Sequence, residues 1–171
     1  ERSRQQVRRI GRASEEMRDL VQTFLMLARA QREGGEGVPR ASLGGLADEL
    51  VALWREPIEA KGLRFDYQPG NPLETRFNAA FLRSVLGNLL RNALHYTESG
   101  HIELRLDARG FSVEDSGVGI PEEQREAMFL PFVRGLEQRG DGRGLGLALV
   151  KRICESQGWV VSLAPSASGG G

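Results

Sequence analysis

Apolar residues set the rhythm of this chain from its first turns. Val7, Ile10, Met17, Leu20, Val21, Phe24, Leu27 and Ala28 recur at spacings of three and four, which predicts a helix over residues 4–32 with one apolar stripe. A stripe of period near 3.5 points to a bundle or coiled-coil seam, the alternative being a lone amphipathic helix folded onto the main domain. The run Gly34, Gly35, Glu36, Gly37 then reads as a linker over 34–40. Ser42 is placed to cap a helix that continues to about Lys61, with Leu43, Leu46, Leu50, Leu53 and Trp54 on its buried face and Gly62 ending it. Residues 63–68 alternate as a strand does, and 73–77 make a weaker strand candidate. Asn78 caps the next helix, which carries Phe81, Val85, Leu86, Leu89, Leu90 and Ala93 inward as far as Tyr96. Strands over 101–107 and 111–115 form a hairpin about Ala108, Arg109 and Gly110. A glycine-rich irregular stretch over 116–143 holds at most a short helix near 121–127. A final helix over 145–157 closes at Gly158, and 159–164 reads as a strand.

Helices and strands in this order predict an α+β fold: a two-layer α/β sandwich, helices on one face of a mixed, mostly antiparallel sheet, preceded by a long N-terminal helix. Composition narrows what the fold is for. Lys plus Arg and Asp plus Glu balance at 23 each, so no net field draws the chain to nucleic acid or to an anionic membrane. One cysteine, Cys154, makes no internal disulfide, and with two histidines it makes a poor zinc set, which fits a reducing cytoplasm. No apolar run approaches the roughly 20 residues that cross a bilayer, so no membrane contact is expected of this stretch, which reads as a piece of a longer protein.

Three local patterns carry chemistry. Asn88 and Asn92 are one turn apart, on a helix face opposite the apolar stripe, and an amide oxygen is a hard neutral donor suited to Mg²⁺ held largely by phosphates; two solvated amides are the plain alternative. Asp115 ends its strand on the side of Phe111 and Val113, where a carboxylate needs donors such as the exocyclic amine of adenine. Gly117 and Gly119 follow at once, in a turn that lets backbone approach a flat ring. Gly142, Arg143, Gly144, Leu145, Gly146 and Leu147 run into a helix whose amides suit an anion, with neither the preceding strand of a Rossmann unit nor the Lys-Ser/Thr ending of a Walker loop. Phe129 and Phe132 anchor the segment between the glycine turns, and 135–141 is a lid candidate.

Taken in order, Asn88-Leu-Leu-Arg-Asn-Ala-Leu-His-Tyr-Thr97, Asp115-Ser-Gly-Val-Gly-Ile120, Phe129-Leu-Pro-Phe132 and Gly142-Arg-Gly-Leu-Gly-Leu-Ala-Leu-Val150 resemble the four boxes of the ATP-binding catalytic domain of two-component sensor histidine kinases, in the superfamily shared with gyrase, Hsp90 and MutL. The resemblance implies ATP and Mg²⁺ as cofactors. It implies that Asn92 helps bind the metal, that Asn88 lies beside the phosphates, that Asp115 meets the adenine amine and that Tyr96 packs near the base. Gly117, Gly119, Gly144 and Gly146 would shape pocket and lid, with His95, Ile120, Phe132, Arg134, Arg143, Leu145 and Leu147 also bordering the nucleotide. Arg9, Ile10, Ser14, Met17, Leu20, Val21 and residues 25–29 look like the second helix of the family's dimerisation and phosphotransfer bundle, which gives domains of 1–33, a linker over 34–40, and 41–171.

Some positions depart from the family. His95 stands where Lys or Arg is frequent, so its phosphate contact would weaken as the imidazole loses its proton; a half-exposed histidine without a role is the other reading. Asp141 replaces a usual glycine, and Arg143 a small residue, which leaves Arg143, like Arg134, between a phosphate contact and a solvated side chain. The family's phosphoacceptor is a His followed by an acidic residue in the first bundle helix, and neither His95-Tyr96 nor His101-Ile102 fits, so this stretch is expected to bind ATP without phosphorylating itself; the resemblance implies a homodimeric, membrane-anchored parent that holds the acceptor and passes the phosphoryl group to a response-regulator aspartate. A gyrase-like or Hsp90-like ATPase would need an acid on the asparagine helix, and 83–97 has none. A non-catalytic nucleotide sensor or dimerisation module is the remaining rival.

Overall fold

The computed structural model describes Met17, Arg18, Val21, Phe24, Leu25, Ala28 and residues 38–130 and 146–166. The described residues fall into two compact units: residues 38–125 with 162–166, and the positions before 38 with 126–130 and 146–161. The six early positions are helical, and Met17, Val21, Phe24 and Leu25 keep about half their surface exposed, between 45% and 53%. The remainder of the expected first helix lies outside the described residues.

The larger unit holds strands β1 (Arg40–Ser42), β2 (Arg64–Gln68), β3 (Arg76–Asn78), β4 (His101–Asp107) and β5 (Gly110–Asp115), with helices α1 (Leu43–Ala60) and α2 (Ala79–Tyr96). Both helices start where a side chain satisfies an orphan amide: Ser42 Oγ accepts from Gly45 N at 3.2 Å, and Asn78 Oδ1 accepts from Phe81 N at 3.2 Å. Gly62, at φ +84°, ends α1 as a left-handed residue must. Pro57 lies inside α1 and removes the N–H that would have bonded Leu53. Leu43, Leu46, Ala47, Leu50, Val51 and Ile58 face inward, but Leu53, expected with them, is 66% exposed. It lies two turns beyond Leu46 on the same flank; periodicity shows the flank, not where the covering neighbour stops.

The sheet runs β2-β4-β5, with β2 parallel to β4 and β4 antiparallel to β5, while β1 and β3 form a separate antiparallel pair. The β1–β3 pair was invisible as a ladder in the sequence. Three residues on each side carry too little alternation to be read, and the two are joined through tertiary proximity alone. Asp107 Oδ1 closes the β4–β5 turn by accepting from Arg109 N at 2.6 Å and Gly110 N at 3.0 Å. Phe81, Leu86 and Leu90 of α2, and Ile102 and Leu104 of β4, are at most 1% exposed and form the centre of the layer between helices and sheet. Each such aliphatic side chain stabilises the fold by about 1.5–3 kcal/mol relative to exposure.

In the smaller unit, the helix expected near 121–127 is replaced at its end by a 3₁₀ turn over Ala127–Phe129, while a second such turn, Glu122–Gln124, belongs to the larger unit. Helix α3 (Gly146–Gln157) buries Leu147, Val150, Ile153 and Cys154 and ends at Gly158, φ +70°, where Trp159 N donates to Cys154 O at 2.8 Å. The Lys151 ammonium lies 5.3 Å from the centre of the Phe129 ring. The strand expected over 159–164 does not form: these residues carry no ladder. Alternating Trp159, Val161 and Leu163 suit a strand, but a strand exists only with a partner of matching register.

Candidate functional site

The hydrogen-bond register of the hairpin decides which way Asp115 faces. It stands opposite Ile102, as Val113 stands opposite Leu104 and Phe111 opposite Leu106. Those three β4 residues are buried, and directly opposed residues share a face, so the carboxylate is on the helix-covered side as its alternation predicted. Its Oδ1 accepts from Gly117 N at 2.8 Å, turning the chain sharply after the strand.

That turn is pressed against the end of α2. A Cβ on Gly117 would lie 2.6 Å from Tyr96 O, 2.7 Å from Asp115 Oδ1 and 3.2 Å from Thr97 Oγ1. Only glycine fits there. The end of the asparagine helix and the turn that follows the carboxylate strand therefore meet at this point. Gly119 continues the turn at φ +71°, and Ile120 O accepts from Arg125 Nε at 3.2 Å.

A second contact holds the same junction. Ser116 Oγ accepts from His101 N at 2.9 Å and its proton reaches Ser99 O at 3.1 Å or His101 O at 3.3 Å, while Ser116 N donates to His101 O at 3.1 Å. Gly100, φ +106°, leaves room for that hydroxyl, since its Cβ would lie 2.1 Å from Ser116 Oγ. The Lys61 ammonium donates to Leu94 O at 2.7 Å, placing positive charge at the negative end of α2.

On α2, Asn88 and Asn92 are partly exposed, one turn apart. Asn88 Nδ2 donates to Ser84 O at 2.8 Å, so its amide oxygen is the end its own helix does not use. His95 meets Tyr96 edge-on, ring centres 4.8 Å apart at 89°. Among the described residues no three of His, Cys, Asp and Glu cluster as a metal set, so a cation here would draw on amide and phosphate oxygens. Gly146 and Leu147 open α3 in the smaller unit. Phe132, Arg134, Arg143, Gly144, Leu145 and the expected lid over 135–141 lie outside the described residues.

Thr97, Ser116 and Lys61 were not singled out by the sequence. Thr97 closes the first motif and Ser116 sits within the second, but nothing in their spacing shows a hydroxyl folded under a turn.

Comparisons with known proteins identify the family. The family model described as "Histidine kinase-, DNA gyrase B-, and HSP90-like ATPase" matches residues 77–171. Sensor histidine kinase AruS of Pseudomonas aeruginosa is 35% identical over 92% of this chain, which spans 17% of that protein's length. Among solved structures, full-length ShkA in complex with AMPPNP superposes with a TM-score of 0.65 at 28% identity, covering 86% of this chain and 32% of that one. The catalytic domain of histidine kinase ThkA gives 0.59 at 29% identity, covering 70% of this chain and 80% of that one. With the asparagine helix and the Asp115 turn packed together as described, the chain belongs to the histidine kinase-, DNA gyrase B- and HSP90-like ATPase family, and its ATP-binding domain is of the sensor histidine kinase type.

Proposed function

We propose that this chain binds ATP and presents its γ-phosphoryl group to a histidine other than His95 and His101, for relay to a response-regulator aspartate. The observation that carries the reading is the junction at Gly117, which brings the Asp115 carboxylate against the end of the helix bearing Asn88 and Asn92. A carboxylate on the covered face accepts from the adenine 6-amine, and Tyr96 supplies aromatic surface near the base. Asn92 and Asn88 lie one and two turns back along α2 from that junction. The amide oxygens of Asn92 and, beside it, Asn88 suit Mg²⁺, which when bound would neutralise phosphate charge. By the family resemblance, Arg134, Arg143 and the amides of 144–147 would contribute to phosphate binding.

In the transfer, the acceptor imidazole nitrogen bonds to γ-phosphorus as the bond to the ADP oxygen breaks, and the imidazole proton leaves to solvent. This chain's part is positioning and charge compensation. Residues 1–33 fit the second bundle helix and 34–40 its linker, in a homodimeric parent with this part in the cytoplasm and an anchor in the inner membrane. The absence of any Asp or Glu on α2 favours transfer to histidine over activation of water.

The test mixes this chain with a separate bundle domain carrying an acceptor histidine and γ-labelled Mg-ATP. Label on the bundle domain is the expected result. Tight ATP binding with no transfer to a competent acceptor would replace the kinase by a nucleotide sensor.

A further inference from the structure

Between Gly117 and Ile120 the chain buries little that would hold it in place. Two of the four residues are glycines, Val118 is 62% exposed and Ile120 is half-buried, so side-chain packing contributes little to the shape of the turn. Gly119, at φ +71°, brings the backbone freedom of glycine to the same four residues. A segment of this kind keeps one shape only when its ends are tied.

Side chains tie both ends. At the start, Asp115 Oδ1 accepts from Gly117 N at 2.8 Å. At the finish, Arg125 Nε donates to Ile120 O at 3.2 Å from a half-buried side chain. Arg125 is brought back toward the turn by the short 3₁₀ helix that begins after Pro121, in which Gln124 N donates to Pro121 O at 2.9 Å and Arg125 N to Glu122 O at 3.3 Å. Pro121, at φ −53°, sets the entry to that helix through its ring. The first tie belongs to the Asp115 motif. The second comes from a residue outside all four motifs.

We propose that Arg125 is a positioning residue for the turn that receives the base: its Nε–H holds the Ile120 carbonyl and so keeps residues 117–120 in the shape a purine requires. The inference rests on the ATP reading above and adds to it a side chain that acts through the turn and not on the nucleotide. A turn held before the ligand arrives loses less entropy on binding, and the advantage is the same for every ligand that carries the base. What acts is the donor; the charge of the guanidinium plays no part.

The test uses two replacements of similar length. Glutamine places an N–H as many bonds from Cα as Arg125 Nε and carries no charge, whereas methionine puts a methyl group there and has no donor. In Arg125→Met the affinities for adenosine, ADP and Mg-ATP, measured by displacement of a fluorescent adenine nucleotide, should all fall by one common factor of about fivefold, the size of a single hydrogen bond. Arg125→Gln should bind all three as the parent does. In the nucleotide-free chain the Gly117 amide hydrogen should exchange about fivefold faster with methionine and at the parent's rate with glutamine. Parent-like affinities in Arg125→Met overturn the inference, whether or not its urea midpoint falls, and so does a glutamine variant that loses as much as methionine. A loss that grows from adenosine to Mg-ATP overturns it as well, since that is the signature of a guanidinium on the phosphates. Failure of the parent chain to bind any of the three would take down the ATP reading and this inference together; a binding parent with an indifferent Arg125→Met takes down only the latter.

Discussion

Replacing Gly117 with alanine perturbs the junction on which the site depends. The added methyl carbon would lie 2.6 Å from Tyr96 O and 2.7 Å from Asp115 Oδ1, well inside ordinary contact, with Thr97 Oγ1 at 3.2 Å. None of the first two can yield cheaply. Tyr96 O belongs to the last turn of α2, and Asp115 Oδ1 is held by the Gly117 amide at 2.8 Å. Overpacking of this kind costs about 1–3 kcal/mol, and weakening a hydrogen bond to a charged acceptor adds up to a further ~1.5 kcal/mol, which suggests a loss of about 2–4 kcal/mol. At roughly 2–4 °C per kcal/mol for a chain of this size, Tm should fall by about 5–15 °C. Displacement of Asp115 should also weaken Mg-ATP binding by about tenfold or more. Urea unfolding followed by circular dichroism and a nucleotide titration measure the two effects on one sample. Gly87→Ala is the internal control: it lies in α2, the helix that ends at Tyr96, its Cβ would meet nothing within 4 Å, and it should stabilise the fold by about 0.8–1 kcal/mol. A Gly117→Ala chain with the parent's urea midpoint and ATP affinity would refute the crowding and the site built on it.

Asn92→Ala should lower ATP affinity in the presence of Mg²⁺ and leave metal-free binding nearly unchanged; equal affinities with the metal present would remove Asn92 from the metal. Leu90→Ala opens a cavity at a fully buried position and should cost about 2–5 kcal/mol in urea unfolding. Gly62→Ala, at φ +84° in open space, should cost roughly 1–2 kcal/mol from backbone strain alone, with no change in nucleotide binding. Burial pushes the Cys154 thiol up to about 11, with the Glu155 charge adding to the rise and a backbone hydrogen bond opposing it. The protonated thiol is the form the fold favours, so its contribution to stability is complete below the ordinary thiol range and lost as pH rises through about 11. At pH 8 a thiol reagent should therefore modify the folded chain slowly and the urea-unfolded chain rapidly.

The helix boundaries were legible because they are local. Ser42 and Asn78 cap the helices they were expected to cap, and Gly62 and Gly158 end theirs, since a cap needs only residues within one turn of itself. The side on which Asp115 faces was legible for the same reason: a strand alternates whatever it pairs with. The parts misread were those that need a distant partner. Residues 159–164 have the alternation of a strand but no ladder, the β1–β3 pair has a ladder but almost no pattern, and Leu53 has the spacing of a core residue but no cover.

The sequence by itself determined the family, through four short motifs in order, and with it the residue types a nucleotide site requires. Tertiary structure alone decided that the turn after Asp115 closes on the end of α2, and so made Gly117 obligatory and buried the Thr97 hydroxyl beside a carboxylate. The physical reason is that side-chain chemistry and local backbone preference are written residue by residue, whereas burial and close approach belong to pairs of residues that only folding brings together.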